Sequence, residues 1–479
     1  MSSISEKLSI KEKIGYSLGD LAANLVFQTL VTYLSYFYTD IYGLKPEHAA
    51  VVTLTVGLVA AFAFNPIMGA IADRTQTKWG KFRPWILWTA IPLGIASLLA
   101  FSTPDFSYKG KVIYAVITYT LLLLLYAANN LPYSALSGVI TGSMKERNSI
   151  SAYRFVAVMF AQFFVQVFMY DLILKAGGGD KAIGMEKVMT YLAIIGTIML
   201  LITFFTTKER VVPKPDQKSS LKEDLADLFK NKPWVIMLVL TTLVFITLAL
   251  KGGAYVYYFE NYVDNTQLKA FLDPLKGYLP TFENETSLGL GVFNGGGILF
   301  GLIGIMLSKK FADKFGKRNV FGTSLFISTL FIIIFYFYPP TSIGLIFGTQ
   351  ILHGFFYGIS TPILWTMIAD VADYSEWKNN RRATAIIFSA MMVGLKGGLS
   401  IGSSLLAWIL SIYNYIPNNN DISNSLTLQS EDTINGIKML VSIYPAIPFL
   451  IGVGLLFFYE INKKMELTIE SDLSNRRSE

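Results

Sequence analysis

Polar side chains recur at helical spacing inside two apolar stretches of the chain, and they are the first candidates for chemistry. Residues four positions apart lie on one face of a helix, and both sets keep multiples of four. The sets are Asp20, Asn24 and Gln28 in the first stretch, and Arg154, Gln162 and Gln166 in the second. Polar groups are costly inside a bilayer, so each set predicts a face turned towards a cavity or a partner helix.

Single polar groups interrupt three further apolar stretches. Asn129 and Asn130 come just before Pro132, where a kink can turn carbonyl groups towards a cavity. Lys251 precedes a cluster of tyrosines, and Lys396 lies deep in its stretch, within the sequence GLKGGLS. Ionisable groups at such depth are candidates for a functional site.

Each of these groups also has a purely structural interpretation. Asn and Gln often hold helices together, and Asp20 and Arg154 lie near the ends of their stretches, where a charge can reach the membrane surface. Lys251 can extend its amine to the surface, and the tyrosines within residues 255–258 fit an interfacial aromatic belt. Lys396 is flanked by mostly apolar residues on both sides, so it needs a carboxylate or an anionic ligand.

The composition indicates a membrane protein. The chain has 479 residues, of which 53% are hydrophobic and 15% charged, whereas soluble domains carry about 25% charged residues. Its net charge of +7 comes from short turns between apolar stretches, which is typical of cytoplasmic loops and not of a nucleic-acid surface. The polar N-terminus lacks the apolar core of a signal peptide.

Patterns of catalysis and metal binding are missing from the sequence. The chain has no cysteine and only two histidines, His48 and His353, so disulfides are excluded and a histidine-based metal site is disfavoured. It contains no phosphate-binding loop and no H-E-x-x-H motif. The G-x-S-x-G match GLSIG at 398–402 lies inside an apolar stretch, so it predicts small residues at a helix crossing and not a nucleophile. We therefore expect no enzyme, no cofactor and no resident metal.

Twelve apolar stretches are long enough to cross a bilayer, which takes about 20 helical residues. They are residues 14–38, 48–71, 85–102, 112–140, 151–174, 188–207, 234–259, 288–307, 320–338, 342–368, 384–413 and 437–459. This pattern predicts an all-α membrane protein with two six-helix bundles, at residues 1–207 and 234–462. A charged linker at 208–233 joins the bundles, and a tail follows at 463–479.

The loops predict how the spans are oriented. Most loops rich in Lys and Arg share one side with both termini, which places the termini in the cytoplasm. On the opposite side, the two long loops at 261–287 and 414–435 are polar and rich in turn residues. We expect these two loops to be flexible and exposed.

A basic turn occurs twice, about half a chain apart. NPIMGAIADRTQTKWGKFRPW at 65–85 joins spans two and three, and SKKFADKFGKRN at 308–319 joins spans eight and nine. The matching residues are Asp73 and Arg74 with Asp313 and Lys314, and Gly80 and Lys81 with Gly316 and Lys317. The repetition predicts two halves of similar plan.

Four segments resemble the glycoside–pentoside–hexuronide:cation symporters, the melibiose-permease branch of the major facilitator superfamily. They are YSLGDLAANL at 16–25, the turn at 65–85, NNLPYSAL at 129–136 and DVADYSEWKNNRRATA at 370–385. The resemblance implies alternating access and the uptake of a sugar or sugar derivative with a cation. We expect Asp370 and Asp373, together with the paired turn residues, to act in the conformational change.

The resemblance also implies roles for individual residues. Asp20 matches the aspartate that binds sugar hydroxyls, Arg154 the arginine that accompanies it, and Lys396 the lysine beside the cation site. Relatives place two cation-binding aspartates in span two, where this chain has Ala61 and Asn65. In span four, the family often has a further aspartate, and Asn130 occupies that position in this chain.

These departures bear on the coupling ion and on the substrate. Ala61 offers no side-chain oxygen and Asn65 no charge, whereas a sodium ion takes several oxygen ligands and needs compensating charge. We therefore expect Na⁺ to leave transport unchanged, with proton coupling or facilitated diffusion in its place. Two basic residues, Arg154 and Lys396, then face one acid, Asp20. Either Lys396 loses its proton when no substrate is bound, or an anionic substrate such as a uronate supplies the missing charge.

The sequence thus predicts a secondary carrier for a sugar, glycoside or sugar acid in the cytoplasmic membrane, acting as a monomer. Its predicted substrate-binding residues are Asp20, Asn24, Gln28, Asn130, Arg154, Gln162 and Lys396. Two alternatives remain within transport: a facilitative sugar uniporter, and a lipid or lysolipid carrier on the same fold. A sensor or scaffold without transport is disfavoured, because it has no need of polar faces inside the membrane.

Overall fold

A computed structural model describes residues 7–211, 231–379, 384–418 and 429–478. Within these ranges the regular structure is helical, apart from one β-bridge between Thr77 and Gly80. The α-helices are α1 (Ile10–Tyr36), α2 (Pro46–Val59), α3 (Asn65–Arg74), α4 (Arg83–Ala100), α5 (Tyr108–Val139), α6 (Met144–Gly177), α7 (Lys181–Thr206), α8 (Lys232–Asn261), α9 (Asn265–Leu272), α10 (Glu285–Phe315), α11 (Lys317–Ile334), α12 (Ile343–Asn379), α13 (Thr384–Ile412), α14 (Glu431–Val441), α15 (Ile443–Leu455) and α16 (Lys463–Ser478).

The local sequence determines where many of these helices begin. A side chain before the first turn accepts a hydrogen bond from a backbone N–H group that the helix leaves unpaired. The residues that do so are Ser9, Ser107, Ser143, Asp180, Asn231, Asp264 and Ser430. Proline stands in the first turn of α2, α4 and α8, where its missing N–H group breaks no helical hydrogen bond.

Eleven helices of the described ranges are long and apolar enough to cross a membrane. The predicted first span falls on α1, which has 27 residues but is not among the eleven. Asp20, Asn24 and Gln28 make α1 less apolar than the others. The all-helical membrane fold is confirmed, while the count of twelve spans and the cytoplasmic position of both termini remain predictions.

The chain divides into two compact units. The first comprises Met1–Asp216, Phe282–Ser287 and Asn414–Leu428, and the second comprises Gln217–Thr281, Leu288–Tyr413 and Gln429–Glu479. Two short segments from the later half of the chain therefore belong to the first unit. The predicted domain boundaries do not assign these two segments to the first half, and the boundaries stay a prediction.

The loop predicted to be flexible and exposed at 261–287 contains a short helix, α9, in the part that belongs to the second unit, while most of its residues are exposed as expected. Asp264 accepts a hydrogen bond from the backbone N–H of Gln267 and starts α9. Leu268 and Leu272 are four residues apart on this helix, and both are fully buried. A capped start and one apolar face are enough to hold a short helix against a neighbour, although the average composition of the loop is polar.

The predicted twelfth span is interrupted. α14 ends at Val441 and α15 begins at Ile443, with Ser442 between them at φ −124° and ψ −83°. Pro445 follows closely and has no N–H group to continue the helical ladder. The hydroxyl of Ser442 donates to the carbonyl oxygen of Lys438 at 2.6 Å, which satisfies one acceptor at the break.

The GLSIG segment lies where α13 crosses α8 in the second unit. A Cβ atom at Gly398 would lie 2.5 Å from the carbonyl oxygen of Thr242, and one at Gly402 would collide with that of Ile246. Small residues permit such close contact between helix backbones. The predicted packing role of this segment is confirmed.

Candidate functional site

An ion pair joins α1 to α6 in the first unit. Nε of Arg154 donates to Oδ2 of Asp20 at 2.8 Å. The Asp20 side chain is 7% exposed and the Arg154 side chain 27%. On the same face of α1, Nδ2 of Asn24 donates to Oδ1 of Asp20 at 3.2 Å and to its carbonyl oxygen at 2.9 Å. Three of the predicted site residues are therefore brought together.

Two tyrosines position this ion pair. The rings of Tyr16 on α1 and Tyr133 on α5 stack with centroids 4.7 Å apart. Each hydroxyl donates to the other residue's carbonyl oxygen, at 3.0 and 2.7 Å. The guanidinium carbon of Arg154 lies 5.7 Å from the centroid of Tyr16 and 5.4 Å from that of Tyr133, which is cation–π distance. Sequence reasoning missed both tyrosines, because two aromatic residues 117 positions apart carry no local signal.

Three further predicted residues of the first unit take no part in this network. Gln28, Asn130 and Gln162 are half-buried. None of them has a hydrogen-bond partner within the described ranges. Their role in binding stays a prediction.

Asn129 is an interhelical contact. It is 1% exposed, and its Nδ2 donates to the Thr89 hydroxyl of α4 at 2.7 Å. Its Oδ1 is buried and has no partner among the described residues. The Nδ2 contact agrees with the structural interpretation, in which a polar group holds two helices together.

Ala61 and Asn65, the positions where the resemblance implies cation-binding aspartates, lie at a widened turn. Residues Ala60–Phe64 form one π-helical turn between α2 and α3. Nδ2 of Asn65 donates to the carbonyl oxygen of Ala60 at 2.8 Å. The side chain of Ala61 is fully buried and brings no oxygen ligand. Turns of this type concentrate at functional sites, and the turn is present here without the carboxylates.

Lys396 lies on α13 in the second unit, half-buried. Its carbonyl oxygen accepts a hydrogen bond from the Ser400 hydroxyl at 3.0 Å. The structure thus places Lys396 in a different unit from Asp20 and Arg154. Its contact with a substrate remains a prediction.

The basic turn of the first unit is built around Glu209, which follows α7. The Glu209 carboxylate accepts hydrogen bonds from the backbone N–H groups of Lys81, Phe82 and Arg83 at 2.7–2.9 Å. Gly80 has φ +111°, and a Cβ atom there would lie 2.5 Å from the carboxyl carbon of Glu209. Only glycine fits this position. Arg74 ends α3 and is exposed, whereas the side chain of Asp73 lies outside the described part of the structure.

The corresponding turn of the second unit uses the same plan. Gly316 has φ +85°, and Nζ of Lys463 donates to the carbonyl oxygens of Asp313 and Lys314 at 2.9 and 3.1 Å. Lys463 follows the last predicted span of its half, as Glu209 follows the last predicted span of the first half.

The arginines of the two turns also correspond. Arg83 donates to the carbonyl oxygen of Phe204 at 2.7 Å, and Arg318 donates to that of Tyr459 at 2.9 Å. In each half, the acceptor belongs to the end of the last predicted span. These matched contacts are consistent with the predicted repeat of the turn, which stays a prediction.

Asp370 lies beside the second turn. Both of its carboxylate oxygens lie 2.6 Å from Nζ of Lys317. The C-terminal helix α16 packs here, where Nε1 of Trp377 donates to Asp472 at 2.8 Å. A cavity of about 790 Å³ separates the helices, and its charged lining includes Asp313, Lys317, Asp370, Asp373, Lys463, Glu466 and Glu470. The sequence predicted only a tail at this place.

Burial affects the Glu466 carboxyl group of this cluster. Loss of solvent raises the pKa of Glu466 above its ordinary value, and the nearby Asp370 carboxylate raises it further. Lys317 and Lys463 oppose this shift. Glu466 therefore binds a proton more readily than an exposed glutamate does.

Two buried carboxylates of the first unit were not singled out from sequence. Asp40 accepts hydrogen bonds from the Tyr415 hydroxyl at 2.7 Å and the Asn418 N–H at 3.0 Å. Asp171 accepts from the Glu283 N–H at 2.6 Å and the Ser287 hydroxyl at 3.0 Å. Both acids lie near the ends of predicted spans, and this position alone could have marked them. They bind the segments of the later chain that belong to the first unit.

The fold and the ion pair define a class of protein, the transporters of the major facilitator type. The structure of a bacterial homologue of the human lysosomal transporter Spinster superposes with a TM-score of 0.62 at 14% identity, covering 96% of this chain and 97% of that one. A family model described as MFS/sugar transport protein matches residues 15–463.

Two curated relatives extend the likeness over nearly the whole sequence. The inner membrane symporter YicJ of Escherichia coli (strain K12) is 36% identical over 448 residues, which cover 94% of this chain and 91% of the relative. The isoprimeverose transporter of Lactiplantibacillus pentosus is 30% identical over 477 residues, covering 98% and 92%. The chain therefore belongs to the MFS/sugar transport family, and the predicted resemblance to the glycoside–pentoside–hexuronide:cation symporters is confirmed. It is a multi-pass protein of the cytoplasmic membrane.

Proposed function

We propose that the chain carries a sugar, glycoside or sugar acid across the cytoplasmic membrane by alternating access, without chemical change to the substrate. The observation that carries this proposal is the ion pair of Arg154 with Asp20, which Asn24 extends on the same helix face. Charged and amide groups gathered inside a membrane protein are typical of a substrate site. The names of the relatives, a symporter and an isoprimeverose transporter, support the same class of substrate.

Arg154 has hydrogen-bonding capacity beyond its contact with Asp20. A guanidinium group carries five N–H donors, and within the described ranges only Nε has a hydrogen-bond partner. The side chain is also the more exposed member of the pair. Its remaining donors suit hydroxyl oxygens and, in bidentate form, a carboxylate. This geometry favours a sugar acid among the possible substrates.

Asp20 complements these donors. A carboxylate accepts hydrogen bonds only, so it suits the hydroxyl groups of a sugar ring. Its partners Arg154 and Asn24 hold it in place from two sides. In this proposal Asp20 receives sugar hydroxyl groups and Arg154 binds the acidic or ring oxygens, while the stacked tyrosines fix the guanidinium.

The coupling ion in this proposal is a proton. Ala61 and Asn65 cannot supply the charged oxygen ligands of a sodium site. A proton needs a titratable group and no coordination shell. The protein then acts as a proton-coupled symporter.

The test is uptake into proteoliposomes that contain the purified protein. A labelled panel of neutral glycosides and uronates is offered with and without Na⁺ and with and without an inward pH gradient. We expect a pH gradient to drive accumulation of at least one sugar or uronate, and Na⁺ to add nothing. Uptake of labelled lysolipid but of no sugar would show a lipid carrier, and uptake that only equilibrates would show a uniporter.

Substitutions in the candidate site show whether its residues are needed for uptake. Arg154→Gln removes the guanidinium, and Arg147→Gln is the matched control because Arg147 is an exposed arginine on the same helix. We expect only the Arg154 variant to lose uptake, with uronates affected more than neutral glycosides. Lys396→Ala is expected to reduce uronate uptake selectively in the same assay. Equal uptake by the wild type and the Arg154 variant would place the substrate site elsewhere.

A further inference from the structure

Among the residues that the structure describes, a buried lysine of the second unit has no acidic partner. Lys251 lies on α8 and is 6% exposed, so its side chain does not reach the membrane surface as one interpretation of the sequence allowed. Within the described ranges Nζ has neither a hydrogen-bond nor an ion-pair partner. Nζ lies 5.4 Å from the centroid of the Tyr255 ring, which is cation–π distance. An ionisable group in such a position marks a functional site by default.

His353 on α12 is the titratable neighbour of Lys251. It is 7% exposed, and it lies one helical turn after Gln350, which accepts a hydrogen bond from the same Tyr255 whose ring Lys251 contacts. Nδ1 of His353 lies 3.1 Å from the carbonyl oxygen and 2.8 Å from the hydroxyl oxygen of Ser328 on α11. Because a carbonyl oxygen can only accept, Nδ1 carries the hydrogen in the neutral ring. Nε2 then has the free lone pair, and the described part of the chain gives it no hydrogen-bond partner.

The neighbouring groups hold these two side chains in place. Gln350 lies one turn before His353 on α12, and its Oε1 accepts a hydrogen bond from the Tyr255 hydroxyl at 3.0 Å. Tyr357 stacks on the imidazole with centroids 6.0 Å apart. Two nitrogen bases are thus fixed in a largely apolar region.

The acids on α8 and α12 lie far along each helix from this pair. Glu260 is the only acid on α8, nine residues after Lys251, or about 14 Å along the helix axis. On α12 the first acid is Asp370, 17 residues after His353, or about 25 Å away. The other charged or titratable groups on the helices packed against α8 are Asp373, Tyr374, Glu376, Lys378, Lys396, Glu431, Asp432, Lys438 and Tyr444.

We propose that Lys251 and His353 form a proton-binding site inside the second unit, which takes up and releases one proton in each transport cycle. The lysine amine or Nε2 of the histidine accepts a proton from water on one side of the membrane and returns it to water on the other. One N–H bond forms and later breaks, and no electrons are transferred. Two positive charges in one apolar region without a carboxylate are unfavourable, so the pair holds a single proton.

This inference rests on the proposed proton-coupled transport and names the residues that carry the proton. In this scheme Asp20 and Arg154 bind the sugar, and Lys251 and His353 bind the cation. The cation site that the resemblance implies in span two, which lacks its aspartates here, is then replaced by a titratable pair on helices that come later in the chain.

The first experiment separates proton coupling from sugar binding. Lys251→Met removes the amine, and His353→Asn removes Nε2 while an amide nitrogen near the Nδ1 position keeps a donor for Ser328. Both variants are measured for accumulation driven by a pH gradient and for equilibrium exchange of the same labelled sugar. We expect both variants to lose accumulation and to retain exchange, because exchange needs no net movement of protons.

Lys438→Met is the matched control. Lys438 also lies over tyrosine rings, 5.6 Å from Tyr262 and 4.8 Å from Tyr336, but it is half-buried near the end of α14. It is expected to behave as the wild type. Lys251→Arg, which keeps a permanent positive charge, is expected to lose accumulation as the methionine variant does. Elution as a single species in size-exclusion chromatography confirms that each variant is folded.

The second experiment needs no sugar and therefore stands even if the proposed substrate class is wrong. The thermal midpoint of the purified wild type is measured from acid to alkaline pH. A folded-state group that binds a proton contributes a step to this profile. We expect Lys251→Met and His353→Asn each to remove the same step, and Lys438→Met to retain it.

The proposal is overturned by any of three results. One is wild-type accumulation in both variants, and another is a pH profile of stability that neither variant changes. The third is loss of exchange together with accumulation in a folded variant. If that loss is confined to uronates, Lys251 binds the substrate carboxylate and not the coupling proton.

Discussion

Nε of Arg154 lies 2.8 Å from Oδ2 of Asp20, although the two residues are 134 positions apart in the sequence. The pair links α1 to α6 and is supported by the stacked rings of Tyr16 and Tyr133. Asp20 and Arg154 were each open to a structural interpretation as charges at the end of a span. Their pairing inside the first unit favours the interpretation as a binding site, and the predictions begin from it.

Asp20→Asn is expected to weaken sugar binding by about tenfold or more. Hydrogen bonds to a charged group are worth about 1.5–3 kcal/mol each, and about 1.4 kcal/mol corresponds to a factor of ten in affinity. The substitution keeps the size of the side chain but removes its charge and leaves Arg154 without its partner. Affinity is measured by equilibrium binding of the best substrate from the uptake panel. Asp105→Asn, in an exposed loop, is the control, and unchanged affinity in a folded Asp20 variant would move the sugar site elsewhere.

The two basic turns are expected to face the cytoplasm together. The chain has no cysteine, so single cysteines at Gln76 and Lys314, both exposed, can be labelled without a modified background. A membrane-impermeant maleimide is expected to label both positions in inside-out vesicles and neither in right-side-out vesicles. Labelling of either position from outside contradicts the predicted topology.

Sodium is expected to leave uptake unchanged. Ala61 is fully buried and Asn65 is bonded to its own helix, so the turn between α2 and α3 offers no charged ligand to a cation. Uptake of the best substrate is compared in NaCl, KCl and choline chloride at equal ionic strength and fixed pH gradient. Stimulation by NaCl alone would show that a sodium site exists in other residues.

Glu209→Gln is expected to lower the thermal midpoint. The carboxylate accepts three backbone N–H groups at the start of α4, and a neutral amide has one acceptor oxygen and no charge for the helix N-terminus. Gly80→Ala is expected to act in the same direction, since both the positive φ and the contact with Glu209 exclude a side chain. Glu186→Gln, at an exposed position on α7, should leave the midpoint unchanged. Equal midpoints for all three variants would show that the turn does not depend on Glu209.

Docking of the C-terminal helix α16 is expected to weaken as the pH rises. The pKa of Glu466 is raised in the docked state, with burial as the largest cause. A raised pKa contributes stability that is complete below the ordinary glutamate value of 4.5 and is lost as the pH rises through the raised value. A fluorophore on Ser471→Cys, the only thiol in such a protein, reports docking by its anisotropy.

Glu466→Gln is expected to remove this pH dependence and keep α16 docked at neutral pH. Asp432→Asn, an exposed acid outside the cluster, serves as the control and should follow the wild type. An anisotropy that is constant with pH in the wild type, or equally pH-dependent in the glutamine variant, contradicts the assignment.

The sequence predicted the class of protein because lipid imposes a simple constraint. Backbone polar groups in a bilayer must pair within the same helix, so long apolar stretches can only be helices. Predicted span and observed helix agree closely for 85–102 and α4 (Arg83–Ala100). The resemblance to the sugar symporters also rested on local segments and was confirmed. The structure of the loops was harder to predict from sequence. A capping residue such as Asp264, together with the buried Leu268 and Leu272, can form a short helix in a segment whose average composition is polar.

The candidate site was partly predictable. Asp20 and Asn24 could be paired from their spacing on one helix, and the basic turns could be aligned from their matching glycines. The sequence identified Arg154 and Lys251 as polar residues inside spans. It could not decide whether each is a structural charge that reaches the membrane surface or part of a functional site. That choice depends on which helices pack together.

The sequence by itself therefore determined the helical membrane fold, the family, and the residues that can carry charge inside the bilayer. Tertiary structure decided the partners: Asp20 with Arg154, Glu209 with the turn at Gly80, and Lys251 with the ring of Tyr255. The physical reason is that spacing along one helix fixes only which side chains share its face. Contacts between residues a hundred or more positions apart depend on the packing of several helices at once.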